Sequence, residues 1–174
     1  MIHIYYGKGK GKTSSALGLI IRACGCKKRI VLFRFLKPKS LSSGEDKILT
    51  KLPNLKEFRF DYPHPMFIKI LNSKKTNLLK NQIKESLTKL ETVAKQKKYD
   101  ILVLDEILNL IDLGFVKQEY LLKLLRRIKN TKEVILTGRN MPKKIPRLAD
   151  YITELRLVKH PFQKGILARR GIEY

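Results

Sequence analysis

The stretch Tyr6-Gly7-Lys8-Gly9-Lys10-Gly11-Lys12-Thr13 follows a short run of apolar, β-branched and aromatic residues, Ile2 to Tyr6, at the start of the chain. Such a run, ended by glycines, predicts a buried strand. Apolar residues then recur from Ser14 to Gly25, which predicts a helix that stops at a glycine. Glycines at this junction let successive backbone N–H groups turn inward around phosphate oxygens, and the helix N-terminus adds partial positive charge. We therefore predict a phosphate-binding loop between the first strand and the first helix.

Within this loop, the residue types predict separate roles. Lys12 would neutralise phosphate charge, and Thr13 would supply a hydroxyl to Mg²⁺, which takes its other ligands mostly from water and phosphate. The general pattern begins with glycine, whereas Tyr6 stands at that position here. A flexible glycine turn with incidental lysines is the alternative interpretation. The predicted phosphate ligands are Gly7, Lys8, Gly9, Lys10, Gly11, Lys12 and Thr13.

A second segment provides acidic residues for the same site. The unbroken apolar run Ile101-Leu102-Val103-Leu104 is typical of a parallel strand covered on both faces. Asp105 and Glu106 follow it directly and would lie at the carboxyl edge of the sheet. One of them could hold Mg²⁺ directly and the other through water, and the sequence leaves open which does so. A surface acid pair at a strand end is the alternative.

The rest of the chain alternates predicted strands with predicted helices. This alternation predicts an α/β fold with a mostly parallel sheet, helices on both faces and P-loop NTPase (RecA-like) architecture. A length of 174 residues predicts a single domain, 1–174. The remaining predicted strands are Arg29–Leu36, Leu55–Asp61, Glu133–Thr137 and Tyr151–Val158. The remaining predicted helices are Ser73–Lys98, one carrying Val116, Tyr120, Leu121, Leu124, Leu125 and Ile128, and a short one at Pro142–Ala149.

Composition limits the possible classes of protein. With 43% apolar residues the chain is not expected to be disordered, and its 38 Lys and Arg against 15 Asp and Glu give a net charge of +23. Because these cations occur in nearly every segment, we expect attraction of small anions rather than specific nucleic-acid binding. No apolar stretch is long enough to span a membrane and the start lacks a secretion signal, so we expect a cytoplasmic protein. Cys24 and Cys26 are expected to be reduced thiols.

Several further groups of residues occur in a characteristic order. They are Gly7 to Thr13; Phe35-Leu36-Lys37 with Ser43-Gly44-Glu45; Leu104-Asp105-Glu106; Thr137-Gly138-Arg139; Ala149-Asp150 with Thr153-Glu154; Lys159-His160-Pro161-Phe162 with Lys164-Gly165-Ile166; and Gly171-Ile172-Glu173. Together they resemble the P-loop type of ATP:corrinoid adenosyltransferase, also called cob(I)alamin or cob(I)yrinic acid a,c-diamide adenosyltransferase. The resemblance covers nearly the whole chain, and the family also lacks glycine at the position of Tyr6.

The resemblance implies an unusual use of ATP in cobalamin biosynthesis. The family transfers the 5′-deoxyadenosyl group of ATP to the Co(I) centre of a corrinoid, and inorganic triphosphate leaves intact. ATP is then the co-substrate, the corrinoid the substrate and Mg²⁺ the metal, with Lys12, Thr13 and Glu106 as catalytic residues and Arg139 near the nucleotide. Because cobalt is the nucleophile, no protein general base is required, and we assign none to His3, His64 or His160.

The resemblance also implies partners and a corrinoid contact. It implies a homodimer and an electron donor such as a flavoprotein. Aromatic residues of the family displace the lower axial ligand of the corrinoid, for which Phe67 is the candidate here, followed by Tyr62 or Phe60. Packing of these rings at the edge of the core is the alternative. Two other functions stay open, a nucleic-acid-dependent P-loop ATPase and a nucleoside kinase, and so does the preferred corrinoid.

Overall fold

A computed structural model describes residues 1–40, 42–62, 73–96 and 98–172. Within these ranges the backbone forms one sheet of parallel strands, which are connected by helices. The strands are β1 (Ile2–Tyr6), β2 (Ile30–Arg34), β3 (Leu55–Arg59), β4 (Ile101–Asp105), β5 (Glu133–Gly138) and β6 (Tyr151–Glu154).

The helices differ widely in length. They are α1 (Lys12–Gly25), α2 (Asp46–Leu49), α3 (Ser73–Gln96), α4 (Ile107–Asp112) and α5 (Gln118–Ile128), with short 3-10 helices at Ile145–Leu148 and Pro161–Lys164. In the part of the chain that the structure describes, none of these helices combines the length and the apolar character that crossing a lipid bilayer requires.

The strand order of the sheet is β3-β2-β4-β5-β1-β6, and every neighbouring pair is parallel. The phosphate loop therefore follows the carboxyl end of β1, and the two acids lie at the carboxyl end of β4, with β5 between those strands. Because the strands are parallel, their carboxyl ends share one edge of the sheet, where ligands bind in folds of this class. This confirms the expected α/β fold with a parallel sheet.

Both faces of the sheet are covered by helices, as β4 illustrates. Leu102 and Leu104 pack into the larger core, to which α3, α4 and α5 contribute, whereas Val103 packs with α1 on the opposite face. Side chains of a strand alternate between faces, so a strand buried on both sides must be apolar throughout. The uninterrupted apolar run of β4 is the sequence signature of this position, and helices on both faces are confirmed.

Several element bounds differ from the sequence prediction. The last strand ends at Glu154 rather than Val158, and the helix expected at Pro142–Ala149 is a 3-10 helix of four residues. Two helices were not expected, α2 and α4. The first is too short to show a period, and the second follows β4 without glycine or proline, because Glu106 itself takes a left-handed turn at φ 64°. Val116 precedes α5 but is buried as expected.

Candidate active site

The glycines of the phosphate loop pack against the end of β6. The amide of Gly9 donates to the carbonyl of Leu155 over 2.7 Å, and the amide of Gly7 donates to the carbonyl of Arg139 over 3.0 Å. A Cβ atom at Gly7 would lie 2.3 Å from the Leu155 carbonyl oxygen, and one at Gly9 would lie 2.7 Å from it. Gly7 also has φ of 119°, which side chains disfavour. These two glycines thus shape the loop, and their N–H groups bind protein carbonyls.

The start of α1 is suited to bind phosphate. Gly11 precedes this helix with φ of 113° and makes no side-chain cap, so the first amides of the helix have no acceptor inside it. The ammonium of Lys12 donates to the carbonyl of Gly9 over 2.7 Å, which folds the side chain over the loop. Burial lowers the pKa of Lys12, and the charge of Glu106 acts in the opposite direction. The result is a compact cationic pocket at a helix N-terminus.

Asp105 lies beneath this pocket and joins three segments of the chain. It is 1% exposed and accepts hydrogen bonds from the hydroxyl of Thr13 over 3.1 Å and from the hydroxyl of Thr137 over 2.6 Å. The ammonium of Lys37 lies 2.8 Å from Asp105 Oδ2 and 2.8 Å from Thr13 Oγ1. Burial alone would raise the pKa of Asp105, but Lys37 and the hydrogen bond from Thr137 hold it below its usual range.

Glu106 takes a different position from its neighbour. Its amide donates to Thr137 Oγ1 over 2.8 Å, and its carboxylate accepts a hydrogen bond from the side-chain amide of Asn109. Burial and the nearby charge of Asp105 raise the pKa of Glu106. The side chain of Asn109 also accepts a hydrogen bond from the backbone amide of Arg139 over 2.7 Å, so it links Glu106 to the end of β5.

A cavity of about 550 Å³ opens above these groups. Residues of α1 from Lys12 to Ile21 form one wall, and Lys37 with Glu45 forms another. Gly171 and Ile172 close a third side, where the ammonium of Lys10 donates to the carbonyl of Ile172 over 2.7 Å. The predicted residues that line this cavity are Lys10, Gly11, Lys12, Thr13 and Glu106. A volume of this size is typical of small-molecule sites.

Of the other predicted residues, those that the structure describes are not part of the cavity wall. Lys8 and Arg139 are exposed, and the charge of Arg139 lowers the pKa of both Lys12 and Glu106, so this guanidinium acts on the site electrostatically. Tyr62 is 1% exposed and its ring stacks on Phe60 at 6.1 Å, which places it in the core rather than on a binding surface. Phe67 lies outside the described residues.

Sequence reasoning did not single out the buried ion pairs under the cavity wall. Arg34 is 2% exposed and pairs with Asp46, with Glu45 at 3.1 Å and with Glu57 at 3.3 Å. Arg59 pairs with Asp46 at 2.7 Å. These pairs join β2, α2 and β3 behind the segment that carries Lys37. The available signal was Arg34 itself, because a charge that interrupts an apolar strand needs acidic partners.

The chain matches one known protein family over its whole length. The model of the family described as ATP:corrinoid adenosyltransferase BtuR/CobO/CobP matches residues 1–174, the whole chain. The chain belongs to this family. The resemblance that the sequence motifs suggested is thereby confirmed, and the two other functions, a nucleic-acid-dependent ATPase and a nucleoside kinase, are not favoured.

Individual relatives agree with the family match. The corrinoid adenosyltransferase of Escherichia coli K12 is 28% identical over 180 residues, which cover 100% of this chain and 85% of the relative. Corrinoid adenosyltransferase CobA of Salmonella typhimurium gives the same identity and coverage. The corrinoid adenosyltransferase of Pseudomonas aeruginosa is 29% identical over 171 residues, which cover 98% of this chain and 82% of the relative. The similarity to these adenosyltransferases therefore extends well beyond the phosphate loop.

Proposed function

We propose that this protein transfers the 5′-deoxyadenosyl group of ATP to the Co(I) centre of a corrinoid, such as cobalamin or cob(I)yrinic acid a,c-diamide, and releases inorganic triphosphate. The family match along all 174 residues carries this proposal. The cavity supports its ATP half, because a glycine loop, a helix N-terminus and Lys12 converge on one volume of about 550 Å³.

The chemistry assigns the protein a role centred on the leaving group. The electron pair of Co(I) forms the new bond to C5′, the C5′–O5′ bond breaks, and its electron pair remains on the triphosphate. Lys12 and the first amides of α1 would stabilise this negative charge, and the loop would hold the triphosphate in line for the attack. Because cobalt provides the electron pair, none of the histidines is required as a general base.

The residues beside the cavity fit Mg²⁺. Thr13 and Asp105 present a hydroxyl and a carboxylate to one cation, the ammonium of Lys37, and such hard oxygen donors are the ones that Mg²⁺ prefers. Among the described residues there is no cluster of three or more His, Cys, Asp or Glu side chains suited to a metal. Bound Mg²⁺ would take its remaining ligands from phosphate and water, and would add positive charge beside the triphosphate.

The geometry favours Asp105 over Glu106 as the direct carboxylate ligand. Asp105 hydrogen-bonds Thr13, whereas the carboxylate of Glu106 is engaged by Asn109. Glu106 lines the cavity next to Lys12, so we assign it to the orientation of Lys12 and of metal-bound water. Arg139 contributes positive charge from outside the cavity wall.

We further propose that the protein works with an electron donor and as a homodimer. Generation of Co(I) requires an electron donor, such as a flavoprotein, and the two free thiols fit a reducing, cytoplasmic compartment. A homodimer is supported by β6, which is an edge strand, and by the apolar side chains exposed on it and after it. These side chains are Tyr151, Ile152, Leu157, Val158, Phe162 and Leu167. Light scattering at micromolar concentration tests this association, and a monomer would contradict it.

The experiment that tests the function identifies the products. The protein is incubated with MgATP and chemically reduced cob(I)alamin, so that no electron donor protein is needed. We expect triphosphate in equal amount to the adenosylated corrinoid, which is followed by its absorption spectrum. The variant Lys12→Ala should form neither product. The variant Lys28→Ala, which removes an exposed charge just beyond α1, should behave as the parent. Formation of ADP in place of triphosphate would contradict the proposal.

A further inference from the structure

Lys37 occupies a position that neither the phosphate loop motif nor the acidic pair explains. Its ammonium bridges Thr13 Oγ1 and Asp105 Oδ2, with 2.8 Å to each oxygen. These are the two side chains that the proposed function assigns to Mg²⁺. Its side chain is 25% exposed, and that of Asp105 is 2% exposed. The ammonium therefore provides the positive charge that this buried carboxylate requires.

The backbone holds Lys37 in place from two directions. Leu36 has φ of 56°, a left-handed conformation that is costly for a leucine and that turns the chain toward the site. The guanidinium of Arg59 donates to the carbonyl of Lys37 over 3.3 Å and to the carbonyl of Pro38 over 3.0 Å. The amide of Phe35 donates to the carbonyl of Asp105 over 3.0 Å. The base of the side chain is thus fixed, and only its flexible stem can redirect the ammonium.

We propose that Lys37 is an internal cation that occupies the metal position between Thr13 and Asp105 and exchanges with the Mg²⁺ that accompanies ATP. The inference rests on the proposed function, because it concerns the same nucleotide site. Two cations cannot share the same oxygen pair without strong repulsion, so the ammonium must leave when the metal binds. Lys37 also lines the cavity, where triphosphate oxygens would receive the displaced ammonium.

This exchange couples metal binding to nucleotide binding. A divalent cation alone must displace the ammonium from a buried carboxylate, and no new anion compensates the lost ion pair. When triphosphate is present, the displaced ammonium gains an anionic partner, and the metal gains phosphate ligands. Each ligand then increases the affinity for the other by the same factor, as linkage requires. The protein would consequently bind the complex of metal and triphosphate in preference to either component.

The exchange is tested by titrating the protein with Mn²⁺ in the absence of nucleotide and corrinoid. Electron paramagnetic resonance measures how much Mn²⁺ is bound. We expect Lys37→Met to bind Mn²⁺ at least tenfold more tightly than the parent protein, because the competing ammonium is gone. Lys47→Met removes an exposed lysine of α2 with the same change of charge and should match the parent. The double variant Lys37→Met/Asp105→Asn should lose the gain. Equal Mn²⁺ affinity for Lys37→Met and the parent would overturn the proposal.

A second arm adds inorganic tripolyphosphate. We expect tripolyphosphate to increase Mn²⁺ affinity at least tenfold in the parent and much less in Lys37→Met. If Lys37→Met is poorly folded without metal, Mn²⁺ should raise its unfolding temperature but not that of the parent. The titration is then repeated with Lys37→Gln. Coupling of equal size in both proteins, or no Mn²⁺ effect on either variant, would overturn the exchange. Because no corrinoid is present, these outcomes are independent of whether adenosyl transfer occurs.

Discussion

The hydroxyl of Thr13 donates a hydrogen bond to Asp105 over 3.1 Å, although 92 residues separate the two in the chain. One belongs to the first turn of α1 and the other ends β4, so the contact exists only because parallel strands bring their carboxyl ends to one edge. It joins the phosphate loop to the acidic strand end, and the effects of substitutions at this edge follow from it.

Asp105 and Glu106 should differ in their effect on metal dependence. We expect Asp105→Asn to raise the Mg²⁺ concentration for half-maximal triphosphate release at least tenfold, because asparagine lacks the negative charge that Asp105 presents beside Thr13. Glu106→Gln should shift it less, since this carboxylate is bonded to Asn109. Magnesium titrations of both variants measure the difference, and a larger shift for Glu106→Gln would reverse our assignment.

Removal of the ammonium of Lys12 should weaken nucleotide binding. A hydrogen bond to a charged group contributes about 1.5 to 3 kcal/mol, so Lys12→Ala should lower ATP affinity roughly tenfold to a hundredfold. Isothermal titration calorimetry with MgATP measures this loss. Lys28→Ala, which removes an exposed charge three residues beyond the end of α1, is the matched control. Equal affinity in both variants would show that the nucleotide binds elsewhere.

The close approach of Gly7 to Leu155 predicts a stability effect. A Cβ atom at residue 7 would lie 2.3 Å from a backbone oxygen, so Gly7→Ala should lower the free energy of unfolding by about 1 to 3 kcal/mol. Gly25→Ala is the control, because a Cβ atom there meets nothing within 4 Å and alanine favours the helix by about 1 kcal/mol. Urea unfolding of both variants should therefore give changes of opposite sign.

The ion pairs of Asp46 should make the free energy of unfolding sensitive to acid. Burial alone would raise its pKa, but the amide of Ser43 and the guanidinium groups of Arg34 and Arg59 lower it to about 2. A carboxyl whose folded pKa is depressed contributes stability that is complete above its unfolded pKa of about 3.9 and is lost as the pH falls through the folded value.

The parent protein should therefore lose about 2 kcal/mol more than Asp46→Asn between pH 5 and pH 2, a figure that follows from about 1.4 kcal/mol per pKa unit. At pH 7 the variant should be the less stable protein, because Arg34 loses one buried partner. Urea unfolding at each pH measures both effects. Parallel pH profiles for the two proteins would rule out this contribution.

The sequence predicted those parts of the fold that depend on local periodicity. The apolar run before Asp105 and the glycine-to-helix junction before Thr13 are signals carried by neighbouring residues, and both lie where expected. The choice between Asp105 and Glu106 could not be made, because the backbone turns left-handed at Glu106 and no glycine marks that turn.

The role of Lys37 was hidden for a related reason. Leu36 adopts a conformation that its residue type disfavours, and the contacts that compensate come from Arg59, on another strand. The burial of Tyr62 depends on packing with Phe60 and the core, which a sequence of alternating prolines and aromatics does not reveal. Long-range contacts, rather than local preference, decide these positions.

The carbonyl of Leu155 that receives the amide of Gly9 has a consequence for biosynthesis. The loop leaves the ribosome first, and the residue whose oxygen supports it follows nearly 150 residues later in the chain. A nascent chain on the ribosome thus carries the loop long before its support exists. The loop can therefore take its supported form only after Leu155 has been synthesised, so a chain stopped before this residue should not sequester ATP.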